Sequence, residues 1–263
     1  MNFLVTGAAS GIGQAVTDYF IARGHTVFGI DVTKGTEKEN FLCFVADITD
    51  EASLQCVKEY LCENNITLDA ILNIAGVHRM ASLVESDYAG MKKVVDVNLS
   101  GTMLVNRVFH DRLVAKGRII IVTSEVASFD PMPFNGLYNV TKTALDSYAQ
   151  ALRQELNLLG QKVVTIRPGA VETPLSRASV SATKDLADTT MLYKKQAKNF
   201  AGLAAKFMGT PIKPQALAAL IYKAATAKAP KLIYKKHRNI GLVLLNLLPK
   251  RLQCAVIKFL LSV

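Results

Sequence analysis

The chain has 263 residues, 50% of them hydrophobic and 20% charged, with a formal net charge of +10. A chain of this length and apolar content can bury a full core, and one α/β domain over residues 1–263 is the simplest partition. No Asp or Glu follows Asp188, so residues 189–263 carry 14 Lys and Arg unopposed; the 31 basic residues less these 14 leave 17 against 21 acidic ones in residues 1–188, a net −4.

That split predicts a basic surface from the last third of the chain, with a solvated helical face as the plainer alternative. It lacks the interleaved aromatic platform that nucleic-acid binding requires, so no nucleic-acid partner is expected. The apolar stretches 240–248 and 252–263 are broken by Asn246, Pro249, Lys250, Arg251 and Lys258. Neither reaches the roughly 20 residues that span a bilayer. The first candidate strand begins at Asn2, so no secretory signal is expected. Cys43, Cys56, Cys62 and Cys254 show no CxxC spacing and no histidine partners, so free thiols in a reduced cytoplasm are expected.

In chain order, short β-branched runs at 3–5, 26–30, 41–45, 70–74, 118–122 and 162–166 predict strands, with a weaker seventh at 231–234. Helical spacing fills 12–23, 51–63, 88–116 and 137–159 between them. This alternation predicts a Rossmann-type doubly wound parallel sheet of six to seven strands, with helices on both faces. Ligands of such sheets bind beyond the carboxyl ends of the strands.

The first strand runs into Thr6-Gly7-Ala8-Ala9-Ser10-Gly11-Ile12-Gly13 and then a helix. Glycines there permit a tight turn and close approach to a pyrophosphate, which the unpaired N–H groups and dipole of the helix start would hold. Asp31 ends the second strand, where a carboxylate accepts from ribose hydroxyls and repels a 2′-phosphate. No cation occupies the loop or the position after Asp31, the nearest being Lys34, so NAD(H) is expected over NADP(H).

Tyr138 and Lys142 stand four apart on a helical segment and share one face. A free tyrosine titrates near ~10, and a neighbouring ammonium is expected to lower that value toward useful proton transfer. Ser124 ends the strand before them and can donate to a carbonyl oxygen. His78, Glu125 and Asp130 are read as rim or solvated loop residues, and no metal constellation is present.

Taken together, Thr6–Gly13, Asp31, Asp47, the N-x-A-G segment Asn73–Gly76, Asn98, Ser124, the Tyr138/Lys142 pair and the P-G-x-V-x-T segment Pro168–Thr173 resemble the compact short-chain dehydrogenase/reductase family. The resemblance covers roughly residues 1–175 and implies specific roles. Asp47 would bind the adenine amino group, with Ile48 beside it. Gly7, Ser10, Gly11, Ile12 and Gly13 would hold the pyrophosphate, and Asn73, Ala75 and Gly76 would support the nucleotide. Asn98 would carry a water that links Lys142 to solvent. Lys142 would also hold the nicotinamide ribose, while Pro168, Gly169, Val171 and Thr173 would line the carboxamide end. Tyr138 would exchange the proton and Ser124 would stabilise the oxygen. Ile74 departs from the common N-N-A-G, and a buried strand position is expected to absorb it by repacking.

Residues 176–209 break the alternation and predict a helical lid, followed by a helix ending near 228. Leu186, Met191, Leu192, Phe200, Leu203, Phe207 and Met208 give the lid an apolar wall among Lys194, Lys195, Lys198 and Lys206. This suits a bulky lipophilic hydroxyl or keto compound, steroid-like, bile-acid-like or acyl. The expected function is therefore secondary alcohol–ketone interconversion. The alternatives are a 3-oxoacyl-thioester reductase and, in another class, a nucleotide-sensing or scaffold protein without turnover. The tail, 238–263, predicts two short amphipathic helices split at Pro249 that cover the pocket or a subunit, with peripheral contact on an anionic membrane as the competing reading. The resemblance also implies a homodimer or homotetramer built through the helices at 88–116 and 137–159.

Overall fold

In the computed structural model, residues 1–207 and 210–262 are described, without the side chains of 205–207. The lid expectations for the side chains of Lys206 and Phe207, for Met208, and for the end at Gly209 lie outside these residues, as does Val263.

Seven strands form one parallel sheet: β1 (Asn2–Thr6), β2 (Thr26–Asp31), β3 (Phe41–Val45), β4 (Leu68–Asn73), β5 (Leu113–Val122), β6 (Lys162–Pro168) and β7 (Ile233–Lys236). Their order is β3-β2-β1-β4-β5-β6-β7. Alternation of side chains along each strand divides the core in two. Phe3, Val5, Val27, Leu72, Ile120 and Ile166 pack on one face with helices α1 (Gly11–Ile21) and α8 (Pro214–Thr226). Leu4, Phe28, Ile30, Ile71, Ile119 and Ile121 pack on the other. That second face is covered by α2 (Glu51–Glu63), α4 (Thr102–Phe109) and α5 (Gly136–Asn157). These fully buried strands read as continuous apolar runs because water reaches neither face.

The expected long helix at 88–116 is interrupted. It consists of α3 (Tyr88–Val95), a π-helical segment Asp96–Gly101, α4 and a 3-10 turn His110–Arg112. Strand β5 already begins at Leu113, five residues before the predicted start, and its register against β4 shifts between Leu68 and Ala70. Leu113 is buried while Ala115 and Lys116 are exposed, so tertiary pairing overrides the local helical spacing.

Past β6, α6 (Pro174–Thr189) and α7 (Lys194–Phe207) stand over the carboxyl ends of the strands. Thr173 and Ser176 start α6 with reciprocal capping bonds of 3.1 and 3.0 Å, and Pro174 holds its first position. The tail folds as α9 (Ile240–Leu245) and α10 (Lys250–Ser262), with Pro249 immediately before the second helix. Phe134, Leu186, Ala197, Phe200 and Leu261 join α6, α7 and α10 in a separate small core.

Candidate active site

Strand order reverses between β1 and β4, the switch point where doubly wound sheets open a crevice. Thr6 Oγ1 spans this point by accepting from the N–H groups of Ile74 and Ala75, both at 3.1 Å. Gly7 (φ 70°) and Gly11 (φ 51°) use the left-handed region that side chains disfavour. A Cβ on Gly13 would lie 1.9 Å from the Gly7 carbonyl oxygen, so helix and loop touch backbone to backbone. Helix α1 starts without a side-chain cap from Ser10 and with no acid in its first turn. Its N–H groups and dipole therefore face the loop ready for an anion, and this cradle fits a nucleotide pyrophosphate.

Asp31 is tied to that loop. Its Oδ2 accepts from Ala9 N–H at 3.0 Å, and its Oδ1 accepts from the Thr33 N–H and hydroxyl, each at 3.0 Å. Lys34, the nearest cation in sequence, pairs with Glu37 at 2.7 Å. Asp47 lies exposed at the end of β3 and accepts from the Thr49 N–H and hydroxyl, each at 2.8 Å. Ile48 is buried, with its Cγ1 2.9 Å from where a Cβ on Gly101 would stand.

A cavity of about 200 Å³ gathers Ile12, Gly76, Ser124, Tyr138, Lys142, Pro168, Gly169, Val171 and Thr173, all expected site residues. Ile74 also lines it, half-buried just past the end of β4, so the residue that departs from the family pattern forms cavity wall and is not a buried strand residue. The Asn73 side chain does not reach this lining. Its amide donates to Asn106 Oδ1 at 2.8 Å on α4, and its own Oδ1 is buried without a partner. Leaving such an oxygen unpaired costs about 1–3 kcal/mol.

Asn98 sits in the π-helical segment, whose extra residue per turn re-aims side chains. Its Oδ1 accepts from Val77 N–H, and its Nδ2 donates to Val77 O, both at 2.8 Å, and to Thr141 Oγ1 at 3.2 Å. Asn98 thus clamps the peptide after Gly76 to α5. Lys142, almost fully buried, donates to Val122 O at 3.2 Å, and its Nζ lies 5.7 Å from the centre of the Tyr138 ring.

Proton affinities at the pair differ from the sequence expectation. Burial pushes the Tyr138 phenol up to about 12, against a hydrogen bond with Ser124 that pulls it down. Burial also lowers Lys142 to about 8. Desolvation disfavours both charged forms, and it outweighs the mutual help that spacing alone suggests. The phenol is therefore protonated throughout the neutral range and suited to donating a proton.

Two residues set at the rim by sequence prove to be built in. The His78 ring lies 4.5 Å from the Tyr138 ring, centre to centre. Its Nε2–H donates to Asn135 Oδ1 at 2.8 Å, and its Nδ1 accepts from Ser179 Oγ of α6 at 2.7 Å. Burial lowers its pKa, which keeps the ring neutral and fits this tautomer. Glu125 is buried, not solvated; its Oε2 accepts from Asn239 N–H at 2.7 Å, and burial raises its carboxyl. The only sequence signals were adjacency, His78 two residues past Gly76 and Glu125 directly after Ser124.

A second cavity of about 300 Å³ adjoins the first through Ala170. Met80, Met132, Phe200, Leu203, Leu242, Leu245 and Ile257 wall it, and Glu125, Asn135 and Asn239 are its polar members.

Known proteins resemble this chain in sequence and fold. A sequence profile described as short chain dehydrogenase matches residues 2–184. The NADPH-dependent 1-acyldihydroxyacetone phosphate reductase of Schizosaccharomyces pombe is 34% identical over 65% of this chain and 60% of its own. The chain spans about three fifths of the length of the curated relatives it matches. Among solved structures, 3-ketoacyl-(acyl-carrier-protein) reductase from Brucella melitensis, complexed with NADH, is 25% identical with a TM-score of 0.70, covering 89% of this chain and 94% of its own. A short chain dehydrogenase family protein from Francisella tularensis shares the fold with a TM-score of 0.75 at 24% identity, covering 89% and 96%. The profile match, over most of the chain and on the residues that form the crevice, means that this chain belongs to the short-chain dehydrogenase/reductase family of nicotinamide-dependent oxidoreductases.

Proposed function

We propose that this protein interconverts a secondary alcohol and a ketone on a bulky lipophilic substrate and prefers NAD(H) to NADP(H). One observation carries the chemistry: the Tyr138 hydroxyl hydrogen-bonded to Ser124, with the Lys142 amine buried alongside, in a cavity that adjoins an apolar one at Ala170. When bound, the nicotinamide supplies or accepts the hydride. The loop Gly7–Gly13 would hold its pyrophosphate, Asp31 the adenosine ribose and Lys142 the second ribose, while Val171 and Thr173 would hold the carboxamide end.

In reduction Ser124 donates to the carbonyl oxygen as charge develops on it, and Tyr138 delivers the proton. The Lys142 ammonium then stabilises the phenolate left behind. Asn98 holds the Val77 peptide and α5 in place around this pair. The apolar cavity of about 300 Å³ accepts the lipophilic body of the substrate. Its mainly apolar wall also suits an acyl chain, so a 3-oxoacyl thioester is the second substrate class to test.

Lipophilic ketones and alcohols offered with each nicotinamide cofactor, read by nicotinamide absorbance, test this reading. Turnover with NADH exceeding that with NADPH is expected. NADPH preference would overturn the role of Asp31, and no turnover across the panel would favour the sensor or scaffold. We also propose a homo-oligomer through the outer faces of α4 and α5, where Met103 and Val140 are exposed. Light scattering after size exclusion reads its mass, and a monomer would refute it.

A further inference from the structure

Helices α9 and α10 have two apolar faces. Inward, Leu242, Leu245, Ile257 and Leu261 wall the cavity that adjoins the catalytic one. Outward, Ile240 and Leu244 of α9, Leu247 between the two helices, and Leu252 and Phe259 of α10 are exposed, Leu247 at 75% and Phe259 at 68%. On α10, Leu252 and Phe259 are seven residues apart, two helical turns, so they share a side. Arg251 and Lys258 repeat at the same interval beside them, and both are exposed. Greasy and cationic side chains thus alternate on one surface.

The charge of this surface decides what fits it. No acidic residue follows Asp188, and 14 basic ones do. A second copy laid on the patch would bring the same cations against it, with no acid from this segment to pair them. An anionic bilayer offers what the patch lacks: negative headgroups for Arg251 and Lys258, and an acyl boundary for Leu244, Leu247 and Phe259. Among the described residues no helix is long and apolar enough to cross a membrane, so the contact is peripheral.

The same helices are fastened to the catalytic loop. Asn239 N–H donates to Glu125, the residue after Ser124, at 2.7 Å. Asn246 Oδ1 accepts from Asp130 N–H at 2.6 Å, and Lys250 pairs with the Asp130 carboxylate at 2.9 Å.

We propose that the outer face of α9 and α10 docks on an anionic phospholipid bilayer, and that the apolar cavity beneath them takes its lipophilic substrate from that bilayer. The docking stands on the patch and its charge; the delivery rests on the reading of that cavity as the substrate site. Sedimentation of the full chain tests the docking, with vesicles of phosphatidylcholine alone or mixed with phosphatidylglycerol. At low salt the chain should pellet with the mixed vesicles, stay in solution with neutral ones, and be released by high salt.

The double variants Leu244→Gln/Phe259→Gln and Arg251→Glu/Lys258→Glu should each weaken partitioning about tenfold or more. Both should keep the parent melting temperature, NADH affinity and turnover of a small water-soluble ketone, because these four side chains lie outside the linings of the catalytic cavity and of the apolar cavity beside it. No pelleting of the parent chain with mixed vesicles overturns the docking, as does equal pelleting with neutral ones. A lipid-free dimer that either variant dissociates would assign the patch to a second copy and overturn it too. For delivery, a lipophilic ketone dissolved in mixed vesicles should show a lower KM than in neutral ones, and equal values overturn it. Docking without any nicotinamide turnover would sink the enzymatic reading alone, whereas soluble-ketone turnover without docking would sink this proposal alone.

Discussion

The crevice, built on the seven-stranded sheet with α8 and β7 in its core, and the cover, made by α6, α7, α9 and α10, are held by different forces. In the crevice, backbone contact and short polar bonds position each group: Gly13 against Gly7, Asp31 on Ala9, Asn98 on Val77. Two large apolar layers lock the strands beneath them. The cover rests on a small core of five buried residues and on a few clips, such as Glu125 to Asn239 and Ser179 to His78. On the proposed function, the tightly bonded part would carry the chemistry and the apolar cover would meet the substrate. Elements with few buried contacts are the ones able to open.

Substitutions should separate the two regions. The largest effect is expected at Tyr138→Phe, which removes the proton donor. Turnover should fall by about 10²–10⁴-fold or more, with the melting temperature and NADH affinity retained; full turnover would refute the mechanism. Gly13→Ala comes next. With a Cβ 1.9 Å from the Gly7 oxygen, loop or helix must shift, and NADH affinity measured by fluorescence titration should drop at least about tenfold. Unchanged affinity would mean that the loop adapts.

The pH profile sharpens the same side of the comparison. Lys142, lowered to about 8, is an ammonium below that pH and an amine above it, while Tyr138, at about 12, stays protonated across the range. Ketone reduction, followed as kcat/KM, should therefore fall as pH rises through about 8 because the cation facing the nascent phenolate is lost. A flat profile to pH 10 would contradict this account.

Smaller effects belong to the cover. Glu125→Gln loosens the tie to Asn239 and should raise KM for a bulky ketone a few-fold, leaving a small ketone unaffected; equal changes for both would place Glu125 in the chemistry. Smallest is Lys250→Ala, which breaks an exposed pair with Asp130. Denaturant unfolding should register little or no loss of stability, and a large loss would show that the pair holds the tail in place.

Much of the crevice was legible in sequence because its rules are local. Short apolar, β-branched runs mark β1, β2, β3, β4 and β6 to within about two residues, and the glycines of the loop answer to sterics that any fold would impose. The break of the 88–116 helix into a π-helical segment and the early start of β5 were not legible. They depend on pairing with β4 and on what Asn98 must reach. Asn73 looked like a nucleotide contact by its motif, yet its amide is taken by Asn106, thirty-three residues away.

Sequence by itself determined the sheet, the glycine loop and the shared helix face of Tyr138 and Lys142, since spacing dictates which side chains share a face; Ser124 joined them through the family resemblance. Only the tertiary structure decided their proton affinities, because desolvation depends on everything packed around a group. It alone also brought His78 against Tyr138, buried Glu125 beneath Asn239, and turned one face of α9 and α10 toward a cavity and the other outward. Those contacts join residues far apart in the chain, where no periodic pattern reaches.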